Sequence, residues 1–457
     1  MKEGSLEAPF RYPVDWENPD FYDKEKLDAE TRRIFDICHG CRRCFNLCDS
    51  FPKLFDLVDE SPSGELDTVS SDNFKSVIDA CTLCDMCFMT KCPYVPPHEF
   101  NVDFPHLMLR HRIVDRKGGE KSFAQDQLSQ TDRNGKIAGI VEPLANWVND
   151  TTNKLTRPLL EKVLRIDSQA KIPKFHSQTF VKQAKITPLP ANEKGPAFGE
   201  KVVIYATCFG NYNNPNIGLA ARAVLAHNGV EVQVVYPECC GMPSLEQGDI
   251  NNVVTKAHRV ATELNKWIDQ GYSIVALIPS CALMLKLEWP LLVQDPTYLP
   301  LVKRMAEHTY DISQYIVNLH KEYGLIEGLK PLGENITIHL ACHARAQNMG
   351  QKAVEMLNLI PDTQVSFIER CSGHGGTWGI MVDHFETAIK VGKPVAKQAQ
   401  KLGNRLVLSE CPLAGEHILQ GIDRLPTDTS PSSDTASEKT HFTTAHPIEI
   451  FAQAYGL

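Results

Sequence analysis

The stretch "DICHGCRRCFNLCDSFP" at residues 36–52 places four cysteines within eleven residues, and "DACTLCDMCFMTKCPYVP" at residues 79–96 nearly repeats it. The first set is Cys38, Cys41, Cys44 and Cys48, spaced C-x2-C-x2-C-x3-C. The second is Cys81, Cys84, Cys87 and Cys92, spaced C-x2-C-x2-C-x4-C-P. Cysteines three apart wrap the backbone around one compact centre and aim three thiolates inward, with a fourth supplied from a distance. A zinc site draws instead on two separated C-x2-C pairs. The first three cysteines of the two sets are each 43 residues apart and the fourth pair 44, which marks an internal repeat.

That spacing is the one used for iron–sulfur clusters. Where two clusters share such a repeat, the fourth cysteine of each motif serves the other cluster. The expected groups are therefore Cys38, Cys41, Cys44 and Cys92 for one 4Fe-4S cluster, and Cys81, Cys84, Cys87 and Cys48 for a second. The rest of the chain agrees with redox chemistry. Fifteen cysteines stand in a sequence whose first twenty residues show no basic segment followed by an apolar one, so no secretory signal is expected. The expected compartment is the cytoplasm, where thiols stay reduced and serve metals rather than disulfides. A net charge of -9 without a Lys/Arg block argues against nucleic acid as a partner. Apolar runs such as 274–279 are too short to span a bilayer, which leaves peripheral association with its inner face as the membrane option.

Periodicity divides the chain into an α-helical ferredoxin-type domain over 1–115, a helical segment and linker over 116–200, and two α/β modules over 201–325 and 326–457. "KLDAETRRIF", "SSDNFKSVID" and "PHLMLRHRIVDRK" read as helices, the second with Ser71 or Asp72 as its N-cap. Residues 167–200 are polar, carry four prolines and read as a linker. Beyond them, "KVVIYATC", "VEVQVVYP" and "YSIVALIPSC" are short β-branched runs separated by amphipathic stretches, which predicts parallel βαβ units. "NITIHLACH", "TQVSFIERC" and "NRLVLSEC" repeat the sequence of elements. Cysteines follow strand ends, where open α/β sheets place their ligands.

The remaining seven cysteines show a second duplication. Cys208 and Cys342 are 134 apart, Cys239 and Cys371 132, and Cys281 and Cys411 130. Cys208, then Cys239-Cys240-Gly241, then "CALM" from Cys281 resembles the Cys-Cys-Gly module of heterodisulfide reductases and of the C subunit of anaerobic glycerol-3-phosphate dehydrogenase. "ACHARAQNMG", "CSGHGGTWG" and "HPIEIFAQAYGL" resemble the second module of the latter protein. The family pattern closes each module with Cys-x-x-Cys, but Met284 and Ala414 occupy the last places here, and Ser372 stands where a second cysteine would. The resemblance implies a non-cubane iron–sulfur cluster at Cys208, Cys239, Cys240 and Cys281, the candidate catalytic site. It implies zinc or a cluster at Cys342, Cys371 and Cys411, with His343 or His374 as fourth ligand. A hydrogen-bonded structural role for these histidines carries equal weight; Met284 reads as core and Ser372 as pocket wall.

Other motifs fail. "GHGGTWG" puts Trp378 where a dinucleotide fingerprint needs glycine, "GGEKS" lacks phosphate-loop spacing, and no H-E-x-x-H occurs. The glycines of 373–379 read instead as places where backbone passes close to a cluster. The expectation is an oxidoreductase subunit that relays electrons from a partner redox protein, such as a flavoprotein dehydrogenase, through the two 4Fe-4S clusters. From there they pass to the first module and on to a quinone or a disulfide, the second module being chiefly structural. The alternatives are a thiol–disulfide reductase working at Cys208, Cys239, Cys240 and Cys281, and a zinc-holding scaffold without enzymatic activity.

Overall fold

The computed structural model describes residue 4, residues 7–426 and residues 441–457. Up to residue 164 the regular elements are helical. Helix α1 (Lys24–Cys41) begins at Asp23, whose carboxylate accepts from the backbone N–H of Glu25 and Lys26, satisfying donors that a helix start leaves open. Its buried side chains, Leu27, Thr31, Ile34 and Phe35, recur at helical spacing. It ends at Arg42, in the left-handed conformation with φ 54°, and this ending sets Cys38 and Cys41 beside the loop that follows. Helix α2 (Ser50–Asp59) buries Phe51, Leu54, Phe55 and Val58. Helix α3 (Lys75–Ala80) follows a 3-10 turn, Ser71–Phe74, which corrects the expected cap: Ser70 precedes the turn, with no side-chain capping bond. Helix α4 (Phe104–Lys117) is capped by the Asp103 carboxylate, which accepts from the N–H of His106. The Phe104 ring lies 4.7 Å from Phe51 and 5.9 Å from Phe35, centroid to centroid. This aromatic floor supports both cysteine loops.

Four helices follow: α5 (Phe123–Ser129), α6 (Thr131–Ile140), α7 (Glu142–Asn149) and α8 (Thr156–Leu164). Helix α7 buries none of its side chains, and Ile140, Leu144, Trp147, Leu155 and Leu159 are all exposed. The linker reading of 167–200 is corrected. Arg157, 2% exposed, donates to the carbonyls of Asp167, Ser168 and Ala170, and the Asp167 N–H bonds the Ile380 carbonyl at 2.9 Å. A further helix, Phe180–Ile186, buries Phe180 against Gly218. The polar composition that suggested a linker is used for backbone pairing across the chain.

Two parallel-sheet α/β modules complete the fold. In the first, β1 (Lys201–Tyr205), β2 (Glu231–Val235), β3 (Ser273–Ala276) and β4 (Thr309–Asp311) lie in the order β2-β1-β3-β4. In the second, β5 (Ile336–His339), β6 (Val365–Ile368) and β7 (Leu406–Ser409) lie in the order β6-β5-β7. All pairings are parallel, β1 on β2 from Lys201↔Glu231 to Tyr205↔Val235 and β5 on β7 from Ile336↔Leu406 to His339↔Ser409. A single parallel bridge, Leu406↔Thr443, stands where β4 stands in the first module. Parallel sheets need both faces covered, and β5 and β7 are accordingly buried throughout. In each module the chain reverses its direction of winding beside the central strand, and that crevice at the carboxyl ends is where such sheets bind ligands. No helix among the described residues is long and apolar enough to cross a membrane.

Candidate functional site

The eight cysteines of the N-terminal repeat separate into two groups. Cys38, Cys41, Cys44 and Cys92 line one small, partly open cavity, together with Ile37, Arg43, Phe51, Phe55, Pro93, Tyr94 and Val102. The fourth thiol reaches this cavity because Cys87–Lys91 forms one turn of π-helix, closed by the Cys92 N–H on the Cys87 carbonyl at 2.8 Å; such turns are frequent at functional sites. Burial and the neighbouring thiols, Cys92 first among them, push Cys44 up to about 12. In the second group, burial followed by Cys84 and Cys81 pushes the Cys48 thiol well above its usual value. Cys87 is raised by burial and then by Cys84 and Cys81. Thiols that resist ionisation because of one another are suited to a multiply charged cation. Among the described residues, no three His, Cys, Asp or Glu side chains approach closely enough to grip a single ion. The first four thiols surround a space instead. The residues therefore fit a multi-iron cluster.

Backbone strain concentrates beside these thiols. Arg42 follows Cys41 at φ 54°, while Leu83 (φ 49°) and Asp85 (φ 63°) flank Cys84. Thr207 precedes Cys208 at φ 58°. A β-branched residue at positive φ is costly, and such residues persist where the surroundings over-determine them, commonly at binding sites.

In the first module the thiols form two close pairs, Cys208 with Cys239 at 3.7 Å and Cys240 with Cys281 at 3.3 Å, sulfur to sulfur. The Gly241 N–H points at Cys239 Sγ at 3.5 Å, and the Trp289 indole N–H donates to the Cys240 carbonyl at 3.2 Å. The hydrogen bond with Cys208, followed by that with Cys240, holds Cys239 well below the usual thiol value against its burial, and Thr131 and the Lys256 ammonium add to this.

The second module meets the N-terminal repeat directly. His343, which follows Cys342, points Nε2 at the Leu83 carbonyl at 3.4 Å. A Cβ on Gly375 would stand 2.8 Å from the Thr82 side chain, and one on Gly376 2.5 Å from the Glu246 carboxylate. The glycines of this loop thus permit close approach to the cysteine loop of the repeat. Burial first, and then the charge of Cys371, raises Cys84 to about 12; Cys342 is raised by burial and then by Cys84 and Cys371. The modules also touch each other, through Gln347, whose amide donates to the Pro279 carbonyl two residues before Cys281.

Residues 202–286 and 336–415 each match the cysteine-rich CCG domain. Lactate utilization protein A of Bacillus pumilus is 30% identical over 188 residues, 39% of this chain and 75% of that protein. The chain belongs to the cysteine-rich CCG family. The C subunit of the anaerobic glycerol-3-phosphate dehydrogenase of Escherichia coli (strain K12) is 25% identical over 287 residues, 62% of this chain and 69% of that protein. The B subunit of the fumarate reductase (CoM/CoB) of Methanothermobacter marburgensis is 26% identical over 297 residues, 64% of this chain and 56% of its own length.

The departures from the CCG pattern have structural counterparts. Met284 is fully buried and begins a π-helical turn, Met284–Glu288. Ala414 is buried at 4% exposure, and Ser372 Oγ faces the His374 N–H at 3.5 Å. Of the two candidate histidines, His343 is engaged with the Leu83 carbonyl, whereas His374 Nε2 is buried with no hydrogen-bond partner. The rings of His374 and His417 lie 6.1 Å apart, and His417 Nε2 is likewise unpartnered.

Two groups of residues around the site carry no motif. The first belongs to α6. Asp132 Oδ2 accepts from the Cys239 N–H at 3.1 Å and from Lys256 Nζ at 3.1 Å, and its other oxygen accepts from the Tyr236 hydroxyl. The second joins the N-terminal strap to both cysteine regions. Arg11 pairs with Asp85 at 2.6 Å, with Asp103 at 3.1 Å and with Glu288 at 3.1 Å, and its guanidinium lies 4.3 Å from the Phe88 ring centre. His106 bridges Asp103 and Glu288 at 3.2 and 3.3 Å. Burial and Arg11 both oppose a proton on His106, but Asp103 and Glu288 prevail and hold it up at about 9. Sequence offers only a faint signal for either group: "TD" at 131–132 is a helix-start pair, and Asp103 is a visible N-cap.

Proposed function

We propose that this chain is an electron-transfer subunit of an oxidoreductase complex, holding two 4Fe-4S clusters in its N-terminal repeat and a further redox centre in its modules. Cys38, Cys41, Cys44 and Cys92 would hold the first cluster, and Cys48, Cys81, Cys84 and Cys87 the second. When bound, such clusters supply one-electron transfer at potentials set by their surroundings. The protein's part is to hold the thiols apart at fixed places, exclude water and order the groups in space. Cys84 lies against the loops of Cys342 and Cys371, and Cys411 has Cys281 among its charge neighbours. The groups thus run from the open thiols through the enclosed ones to the second module and then to the first. This juxtaposition is the observation that carries the reading. It favours a relay role for the second module over the chiefly structural one expected from its three thiols.

Two features bear on the acceptor. The pairing of Cys208 with Cys239 and the ready ionisation of Cys239, held below the usual thiol value, support thiol–disulfide chemistry at the first module. The apolar exposed faces of α6, α7 and α8 continue from the same site, because α6 begins with the residues that touch Cys239. They support a lipophilic acceptor such as a quinone, reached at a membrane surface. By likeness to the C subunit of a dehydrogenase, the donor would be a dehydrogenase partner. The test is Cys371→Ser in anaerobically prepared protein. The reading expects low-temperature EPR to show the N-terminal clusters still reducible while turnover with disulfide and with quinone is lost. Retained turnover in a well-folded Cys371→Ser would remove the second module from the path. Wild-type turnover with one acceptor and not the other chooses between them, and zinc in place of iron in the modules would leave only the scaffold.

A further inference from the structure

The two thiol groups of the N-terminal repeat meet solvent differently. In the inner group Cys81 and Cys87 are each 7% exposed and only Cys48 and Cys84 are partly open, whereas Cys38, Cys41, Cys44 and Cys92 are all partly open. The open rim is chemically distinctive. Phe45, between Cys44 and Cys48, is 57% exposed. Arg43 lines the cavity itself, and Lys91 immediately precedes Cys92; both side chains are exposed. Neither has an ion-pair partner among the described residues, while nearby Arg42 is tied to Asp59 and Arg33 to Glu30. Uncompensated cations around an exposed ring form a local basic face on a chain whose net charge is -9.

We propose that this face, Arg43, Phe45 and Lys91 over the open thiol group, docks an acidic one-electron carrier protein. The proposal rests on the reading that these four thiols hold a cluster. Three physical arguments support it. A local positive field on a negative protein steers an acidic partner to one place and turns it the right way round, and the gain in association rate is steep in salt. An exposed aromatic ring gives the contact a dehydrated centre while the charges form its rim. The open group is also the one whose thiols lie nearest solvent, so a carrier docked there has the shortest reach to a redox centre. Each encounter moves one electron: the carrier is oxidised by one, the chain is reduced by one, and no bond or proton is exchanged at the face.

The test compares donors of opposite charge on the cluster-loaded chain. Reduced flavodoxin serves as the acidic carrier and the methyl viologen radical cation as a small cationic donor. The variants are R43Q/K91Q, R43E/K91E and Phe45→Ala, each first examined by EPR after dithionite reduction. At low ionic strength we expect R43E/K91E to slow reduction by flavodoxin at least about tenfold, and R43Q/K91Q to slow it by a smaller factor. Reduction by methyl viologen should be unchanged or faster. At about 0.5 M salt the difference between wild type and variants should shrink below about twofold. Equal flavodoxin rates in all variants, with EPR signals intact, would overturn the docking face. Should the reversed variant lose its signal, the neutral pair decides the matter by the same criterion. Absence of any cluster signal in the wild type would instead overturn the reading of the thiols.

Discussion

Replacing Arg11 by Met removes one cation from three carboxylates, two of them buried. Arg11, Asp85 and Glu288 have side chains only 11%, 7% and 5% exposed, and Asp103 is at 20%, so solvent screens the pairs little. Breaking a buried ion pair by removing one partner costs about 3–5 kcal/mol, and here the His106 imidazolium alone would be left to face three carboxylates. The lost cation–π contact with Phe88 adds about 1 kcal/mol. Protonation of Asp85, whose carboxyl burial already pushes up despite Arg11, returns part of this, leaving about 4 kcal/mol. The loss should be local. Arg11 belongs to a strap whose Val14 N–H bonds the Leu291 carbonyl at 2.9 Å and whose Trp16 indole donates to the Leu292 carbonyl at 2.7 Å. Hydrogen exchange followed by mass spectrometry should show residues 10–16 opening about a thousandfold more readily, since each 1.4 kcal/mol is a factor of ten. The helices of the second module should exchange as before. The effect should be smaller at pH 5 than at pH 8, because acid neutralises the stranded Asp85 carboxyl, which burial already pushes up. A strap that exchanges within threefold of wild type at both pH values would refute the claim that Arg11 locks the cysteine loop of the repeat to the first module.

Cys92→Ser should alter the EPR signal that Cys41→Ser also alters, and leave the one altered by Cys84→Ser; a shared effect with Cys84→Ser alone would undo the crossed grouping. Gly373→Ala, at φ 81° and with its new Cβ driven into the Ala388 carbonyl oxygen, should lower the melting temperature by several degrees and release the Cys371 loop to proteolysis, whereas an unchanged melt would show that the loop has room to move. His106 has its folded value raised to about 9 against about 6.5 when unfolded, so its stabilisation is full below about 6.5 and fades as pH rises through about 9; His106→Gln should flatten that alkaline decline in melting temperature. His446 is opposite in sign. Burial lowers it to about 3, so it costs stability as pH falls below about 6.5, by about 1.4 kcal/mol per pH unit, and His446→Gln should reduce the acid slope.

The parts of this molecule that were legible in sequence are those with short-range or repeating signals. Cys-x2-Cys spacing, the 43-residue offset and the alternation of β-branched runs with amphipathic stretches are local patterns, and the two parallel sheets follow from them. The contacts that join the parts are not local. Asp132 lies 107 residues from Cys239 and Arg11 277 residues from Glu288, and nothing in the spacing of either pair announces a contact. Residues 167–200 misled because prolines and polar side chains suit a free connector and a packed segment alike; burial of Arg157 under three carbonyls distinguishes them. The approach of the second module to the repeat was hidden for a related reason. The position of the Cys371 loop against Thr82 depends on glycines whose positive φ angles become visible only in the fold.

The central claim is that the N-terminal repeat holds two iron–sulfur clusters feeding thiol groups in the modules, and its most direct test is a count of iron, acid-labile sulfide and zinc per chain after anaerobic preparation. The account expects at least about eight irons with matching sulfide, four for each N-terminal group, and any excess to be lost in Cys240→Ser or Cys371→Ser. Fewer than about four irons, with zinc in their place, would contradict it.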